Sequence, residues 1–197
     1  MTDITLPPRF QSASPLGQRI LQIVSFCEEN VSTTNVLAML VACDWAAAPS
    51  KSGILTKTQF KAELGVLYQK RLIDRESSTF DRVSSFTDTQ DLIAQYTVLS
   101  GNFPIIAKAL ETFAKDLCQD MSSRYGRRAA QPILEARFRA RIAFYAGDVE
   151  RYTAAVQGLS QADPQLADLG LLESFNKEIF SRTPPELQAV VLTKAVS

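Results

Sequence analysis

ILTKTQFKAELGVLYQKRLIDRESSTFDRV, residues Ile54 to Val83, decides the fold. Thr56 and Gln59 stand in Thr-x-x-Gln spacing, so each side chain can bond the other's backbone N–H and start a helix. Leu55 before the cap and Phe60 in the first turn can pack as a hydrophobic staple. Phe60, Leu64, Leu67 and Tyr68 recur at helical spacing and make an apolar stripe, which predicts a helix over 56–71. Lys57, Thr58, Lys61, Ala62, Gly65 and Gln69 fall on the opposite face. After Arg71 the period changes. Leu72 to Arg75 reads as a short strand, Glu76 to Thr79 as a polar turn, and Phe80 to Val83 as a second strand.

Composition excludes more than it selects. The 197 residues are 46% hydrophobic and 21% charged, as in a soluble globular protein. Lys+Arg and Asp+Glu number 21 each, so electrostatic binding has to come from local patches. There is no histidine, which removes the usual general base and the commonest metal ligand. Cys27, Cys43 and Cys118 lack Cys-x-x-Cys spacing, and Cys27 and Cys43 lie on apolar helix faces as core residues. The odd cysteine count and the absence of a signal-peptide pattern lead us to expect a cytoplasmic location. The longest apolar run, Val36 to Cys43, is far short of the roughly 20 residues that span a bilayer, so no membrane role is expected.

Outward from the key stretch, residues 1–13 read as an extended lead, with Pro7-Pro8 opposing a helix. Ser14-Pro15 opens a first helix over about 15–28, with Leu16, Ile20, Ile23, Val24 and Cys27 on one face. Asn30-Val31 reads as a break. Ser32 or Thr33 caps a second helix to about Cys43, with Val36, Leu37, Leu40 and Val41 inward. Thr87 and Gln90 form another Thr-x-x-Gln box, opening a helix to about Leu99 with Leu92, Ile93 and Tyr96 inward. Ser100-Gly101-Asn102 marks a domain boundary near residue 101. Beyond it no strand signal occurs. Helices are expected from Pro104 through Met121, from Pro132 to Ala146, to about Ser160, over about 165–181, and after Thr183-Pro184-Pro185-Glu186.

A helix feeding a hairpin this closely resembles the winged-helix family, a variant of helix-turn-helix. The resemblance implies that the 56–71 helix faces the DNA major groove while the hairpin touches the backbone. Carried over by position, it makes Lys57, Thr58, Gln59, Lys61 and Ala62 groove contacts, and Arg75 and Arg82 wing contacts. From Lys51 to Arg82 seven Lys/Arg stand against four acids, a modest local excess. One departure is plain. Asp44 to Leu55 is much longer than the usual turn of about three or four residues between such helices; either Trp45 to Ala48 extends the second helix or a loop is inserted. A second resemblance covers one segment. Tyr145 to Tyr152, then Leu159 and Asp163-Pro164, is similar to the turn and second helix of a tetratricopeptide repeat, with Ala140 as the small residue at the crossing. A generic helical hairpin explains it equally well. The expected fold is mainly α: a winged-helix-like domain with a small β-hairpin over 14–100, then an α-helical, repeat-like or bundled domain over 101–197.

Catalytic signatures are missing. No glycine pair fits a phosphate-binding loop, and neither Gly-x-Gly-x-x-Gly nor Gly-x-Ser-x-Gly occurs, so no enzyme activity and no cofactor are expected. Asp116 and Asp120 lie one helical turn apart, but no further acid joins them in sequence, and no metal is expected. The densest charge runs from Arg124 to Arg141, where Arg124, Arg127, Arg128, Arg137, Arg139 and Arg141 face Glu135 alone. Arginine suits phosphate because its planar fork bonds two oxygens at once. Arg124, Arg127, Arg128, Arg137 and Arg141 are therefore candidates for an anion or an acidic partner; the alternative is solvated arginines paired with acids of neighbouring helices. In the last helix Leu187, Val190 and Val191 need a partner, and the chain is expected to be the N-terminal part of a larger protein. By architectural analogy such modules accompany ATP-driven helicases and signalling ATPases. The expected function is a non-enzymatic adaptor that contacts double-stranded DNA through its front half and protein, or a downstream domain of its own chain, through its rear half. The alternative is a purely protein-binding scaffold.

Overall fold

The computed structural model describes residues 8–27, 30–45, 55–76, 81–124, 131–162 and 177–196. They are mostly helical, with one small three-stranded antiparallel sheet. Two compact units divide between Ala109 and Leu110.

The first unit opens with α1 (Pro8–Gln11) and α2 (Pro15–Val24). An extended lead was expected up to residue 13. Instead Pro8 starts a single helical turn, which proline permits because first-turn amides have no intrahelical acceptor. Phe10 anchors that turn, buried edge-on to Tyr96 with ring centroids 5.6 Å apart. Ser14 caps α2 by accepting from Gly17 N at 2.9 Å. The helix ends at Val24, short of the expected 28. Gln90 Nε2 then donates to the carbonyls of Ser25 and Cys27 at 3.2 and 2.9 Å.

Next come β1 (Val31–Ser32), α3 (Thr33–Ala42), α4 (Lys57–Gln69), β2 (Ile73–Arg75), β3 (Arg82–Ser85) and α5 (Thr87–Leu99). The expected break at Asn30-Val31 does separate α2 from α3, and Val31 within it begins β1. Val31 pairs with Val83 and Ser32 with Arg82, and the sheet order is β1-β3-β2. Two residues are too few to show alternation, so the strand left no signal in sequence. The hairpin sits later than expected in its second strand, with Ile73 opposite Ser85 and Arg75 opposite Val83.

In α3, capped by Ser32, Val36, Met39 and Leu40 are buried, while Val41, expected inward, is 57% exposed. That helix is apolar nearly all round, so spacing alone could not choose its buried face. It ends at Cys43, with Asp44 left-handed at φ 55° and Trp45 N donating to Leu40 O at 2.8 Å. Trp45 therefore does not extend the helix, and residues 46–54 lie outside the described set. At α5 the cap falls one residue earlier than the expected Thr87–Gln90 box. Phe86 is the N-cap without a side-chain bond, and Gln90 Nε2 is committed to the segment after α2. Ile93 is buried in α5, but Leu92, expected inward, is exposed. Buried side chains of α2, α3, α4, α5 and the sheet make one core around Ile20, Leu40, Leu64, Leu67 and Val83.

Helix α6 (Phe103–Arg124) begins in the first unit and continues into the second. The second unit then holds α7 (Gln131–Ala146), α8 (Val149–Ala162), α9 (Lys177–Arg182) and α10 (Pro185–Val196). Helices α7 and α8 pack as a hairpin. Gly147 closes α7 at φ 69°, with its own N bonded to Phe144 O and Asp148 N to Ala143 O. Asp148 Oδ1 then accepts from Arg151 N at 3.0 Å and caps α8. Ala140, Ala143, Tyr152, Val156, Leu187 and Val191 form the core of this unit. The partner that Leu187, Val190 and Val191 need is thus the α7–α8 hairpin. Thr183 bonds back to Phe180 O at 2.8 Å and closes α9, while Gln188 Nε2 reaches Thr183 O at 2.9 Å. Of the helix expected over 165–181, residues 165–176 lie outside the described set.

Two outcomes follow from this packing. A Cβ at Gly147 would lie 3.2 Å from Pro184 Cδ in a left-handed backbone. Gly147→Ala should therefore cost about 1–2 kcal/mol in chemical denaturation. Burial raises the Tyr152 phenol from 10.0 to about 12. A raised folded-state pKa means the folded protein holds its proton more tightly. That stability is complete below the unfolded value and is lost as pH climbs from 10.0 toward about 12. Tyr152→Phe should flatten the alkaline fall of the urea midpoint in that window. Cys43, raised from 9.0 to about 11 by burial and by Asp44, keeps its own earlier fall.

Candidate nucleic-acid interface

Helix α4 owes its start to a complete capping box. Thr56 Oγ1 accepts from Gln59 N at 3.2 Å, and Gln59 Oε1 accepts from Thr56 N at 3.0 Å. Leu55 and Phe60 are both buried beside it, as a staple requires. Phe60, Leu64 and Leu67 turn to the core, which leaves Lys57, Thr58, Lys61, Ala62 and Gln69 exposed. Among the described residues no hydrogen bond or ion pair engages the side chains of Lys57, Thr58 or Lys61.

Glu63 is the one acid of this helix, and it faces away from the lysines. Its Oε1 accepts the Ser14 hydroxyl at 2.6 Å, against the N-terminus of α2. Ser14 in turn accepts from Gly17 N, so the carboxylate lies beside the positive end of that helix. A Cβ on Gly17 would meet Glu63 Oε1 at 2.5 Å, so glycine is what admits the carboxylate. Helical spacing was enough to place Glu63 on the side of Phe60 and Leu67. Its partner, Ser14, had no signal in sequence.

The other expected contacts are partly committed within the protein. Gln59 spends its carbonyl oxygen in the cap. The Arg75 guanidinium lies 4.2 Å from the centroid of the Tyr68 ring, a stack worth roughly 0.5–1 kcal/mol at an exposed site. Tyr68 had been assigned to the apolar stripe, but it is 37% exposed and takes this cation on its face. Arg82 Nε lies 3.9 Å from Glu76 Oε2 across the hairpin, and Glu76 N donates to Arg82 O at 3.4 Å. Lys70, at the end of α4, donates to Ser12 O.

The arginine-rich region divides. Arg127 and Arg128, and the Arg124 side chain, lie outside the described set. Arg137 and Arg141 are half-buried, and Arg141 stands 5.8 Å from the Tyr145 ring centroid. Arg139 bonds Glu135 at 2.8 Å, one turn back. Arg151 bonds Glu111 at 2.6 Å and lies 3.3 Å from Asp148. Arg139, Arg151 and Glu111 line a shallow cleft floored by Ala154 and Ala155. Both cleft arginines thus already hold carboxylates of the chain. Asp116 is exposed, and the Asp120 side chain is outside the described set. Among the described residues, no group of three or more acidic or cysteine side chains is placed to hold a metal.

Nothing in the comparisons resolves the function. No family model, curated protein or solved structure matches the chain. No helix among the described residues is long and apolar enough to cross a membrane. What distinguishes the α4 face is arrangement: two lysines one turn apart beside small side chains, with the helix's acid removed to the far side. Lys57→Ala and Lys61→Ala should each leave stability within about 0.5 kcal/mol of wild type. Thr56→Ala should cost about 1 kcal/mol through loss of the cap. Urea denaturation compares the three directly.

Proposed function

We propose that the first unit is a winged helix that contacts double-stranded DNA through the exposed face of α4. On this reading the protein is a non-enzymatic adaptor whose second unit docks protein. The order helix, short strand, helix, helix, hairpin, with β1 beside β3 and β3 beside β2, supports the winged-helix assignment. The observation that carries the DNA reading is that Glu63, the one acid of α4, lies on another face and is engaged by Ser14, so Lys57 and Lys61 share their helix face with no acid of α4. A helix in the major groove needs such a face, because each lysine that neutralises a phosphate releases a counterion. Thr58 and Ala62 are small enough to let the backbone come close to base edges. In the second unit the α7–α8 hairpin, with Ala140 buried and Gly147 at the turn, supports a tetratricopeptide-like or bundled docking scaffold.

Exposed apolar side chains favour a second reading, a scaffold that binds protein alone. Val66 and Tyr68 stand on α4, and Leu192 is 52% exposed on α10. Fluorescence anisotropy with a labelled duplex over a series of salt concentrations separates the two. The DNA reading requires binding that weakens steeply with salt. The Lys57→Ala/Lys61→Ala variant should bind about tenfold more weakly and lose roughly two from the log–log salt slope. No binding at low salt would end the DNA reading and leave the scaffold.

A further inference from the structure

Beside its own ladder the β2–β3 hairpin is held by β1 along the other edge of β3 and by the burial of Ile73 and Val83, and two further ties join β2 to α4. One is the covalent turn out of α4, where Arg71 N and Leu72 N bond back to Tyr68 O and Leu67 O at 2.9 and 3.0 Å. The other lies further along β2, where the Arg75 guanidinium covers the Tyr68 ring at 4.2 Å. Tyr68 sits at the C-terminal end of α4, and Arg75 is the last residue of β2. The stack therefore joins the far end of the strand to the helix that precedes it. Leaving the ring to reach a phosphate would break that joint. Arg82, the other cation of the hairpin, stands near Glu76, the residue after β2.

We infer that Arg75 and Tyr68 form a latch that holds the hairpin against α4, so that Arg75 positions the wing and does not itself contact the duplex. Its consequence for DNA rests on the winged-helix reading; the latch itself does not. The base of the hairpin is fixed by β1 and by the buried Ile73 and Val83, so the latch acts on its outer end: were that end free to lift from α4, helix and wing would meet a duplex as two separately ordered parts. Latched, they meet it as one preorganised surface, and less freedom is lost on binding.

Amide hydrogen exchange of the free protein tests the latch without any ligand. Tyr68→Ala and Arg75→Ala should each speed exchange over residues 73–75 and 82–85 by about two- to fivefold relative to α2. The double variant should be no faster than either single one, since each removes the same contact. Tyr68→Phe keeps the ring face and should exchange like wild type. Unchanged hairpin exchange in either alanine variant, or effects that multiply, would overturn the latch. Anisotropy against a duplex tests the positioning role. Arg75→Ala and Tyr68→Ala should weaken binding to the same degree and leave the salt slope unchanged. A slope reduced by about one in Arg75→Ala alone would make Arg75 a phosphate contact and refute the positioning role. If the wild-type protein binds no duplex, the DNA reading fails, and hydrogen exchange still decides the latch.

Discussion

The first unit depends on how α4 stops. Arg71 takes a left-handed backbone at φ 53°, and the amide of Leu72 bonds back to Leu67 O. This closure reverses the chain within two residues and starts β2 at Ile73. A non-glycine residue in that conformation costs about 1–2 kcal/mol. Full burial of Leu72 and Ile73 directly after it offsets the cost. Asp44 closes α3 in the same way, so both helices that flank residues 46–54 end on a strained polar residue. Once β2 is placed, β3 pairs with it and offers its other edge to β1, which joins the segment after α2 to the hairpin.

Helix starts were legible because capping chemistry is local. Ser14, Ser32 and Thr56 each bond an amide within three residues; Ser14 and Thr56 were readable from spacing, while the choice between Ser32 and Thr33 was not. The same local pattern misled at Thr87. There Gln90 bonds two carbonyls more than sixty residues away, and no neighbour in sequence announces them. Strand β1 was hidden because its partner, β3, lies some fifty residues on. The buried face of α3 was hidden because Val41 and Met39 are equally apolar, and only the packed neighbours chose between them. A mainly helical chain with a small antiparallel sheet was therefore readable, while its third strand and its first helical turn were not.

Charge tells a similar story. Net charge is zero and gives no direction, so any electrostatic surface is a matter of placement. Counting residues made Arg124 to Arg141 the strongest patch. In the fold, Arg137 and Arg141 are half-buried, and Arg139 holds Glu135. The lysines of α4 are fewer, but the acid of their own helix, Glu63, lies on the other face by its helical position and bonds Ser14 there. The residues first assigned to DNA divide in the same way, with Ala62 exposed like the lysines. Lys57, Thr58 and Lys61 face solvent, whereas Gln59, Arg75 and Arg82 have partners within the unit.

The arrangement of α4, β2 and β3 is most directly tested by nuclear Overhauser contacts in the labelled protein. Close approach of Val31 to Val83 and of Ile73 to Ser85, with helical sequential contacts ending at Gln69, is the pattern this account requires. Helical contacts running unbroken through residues 72–76 and 81–85, without those cross-strand pairs, would contradict the hairpin and the interface built on it.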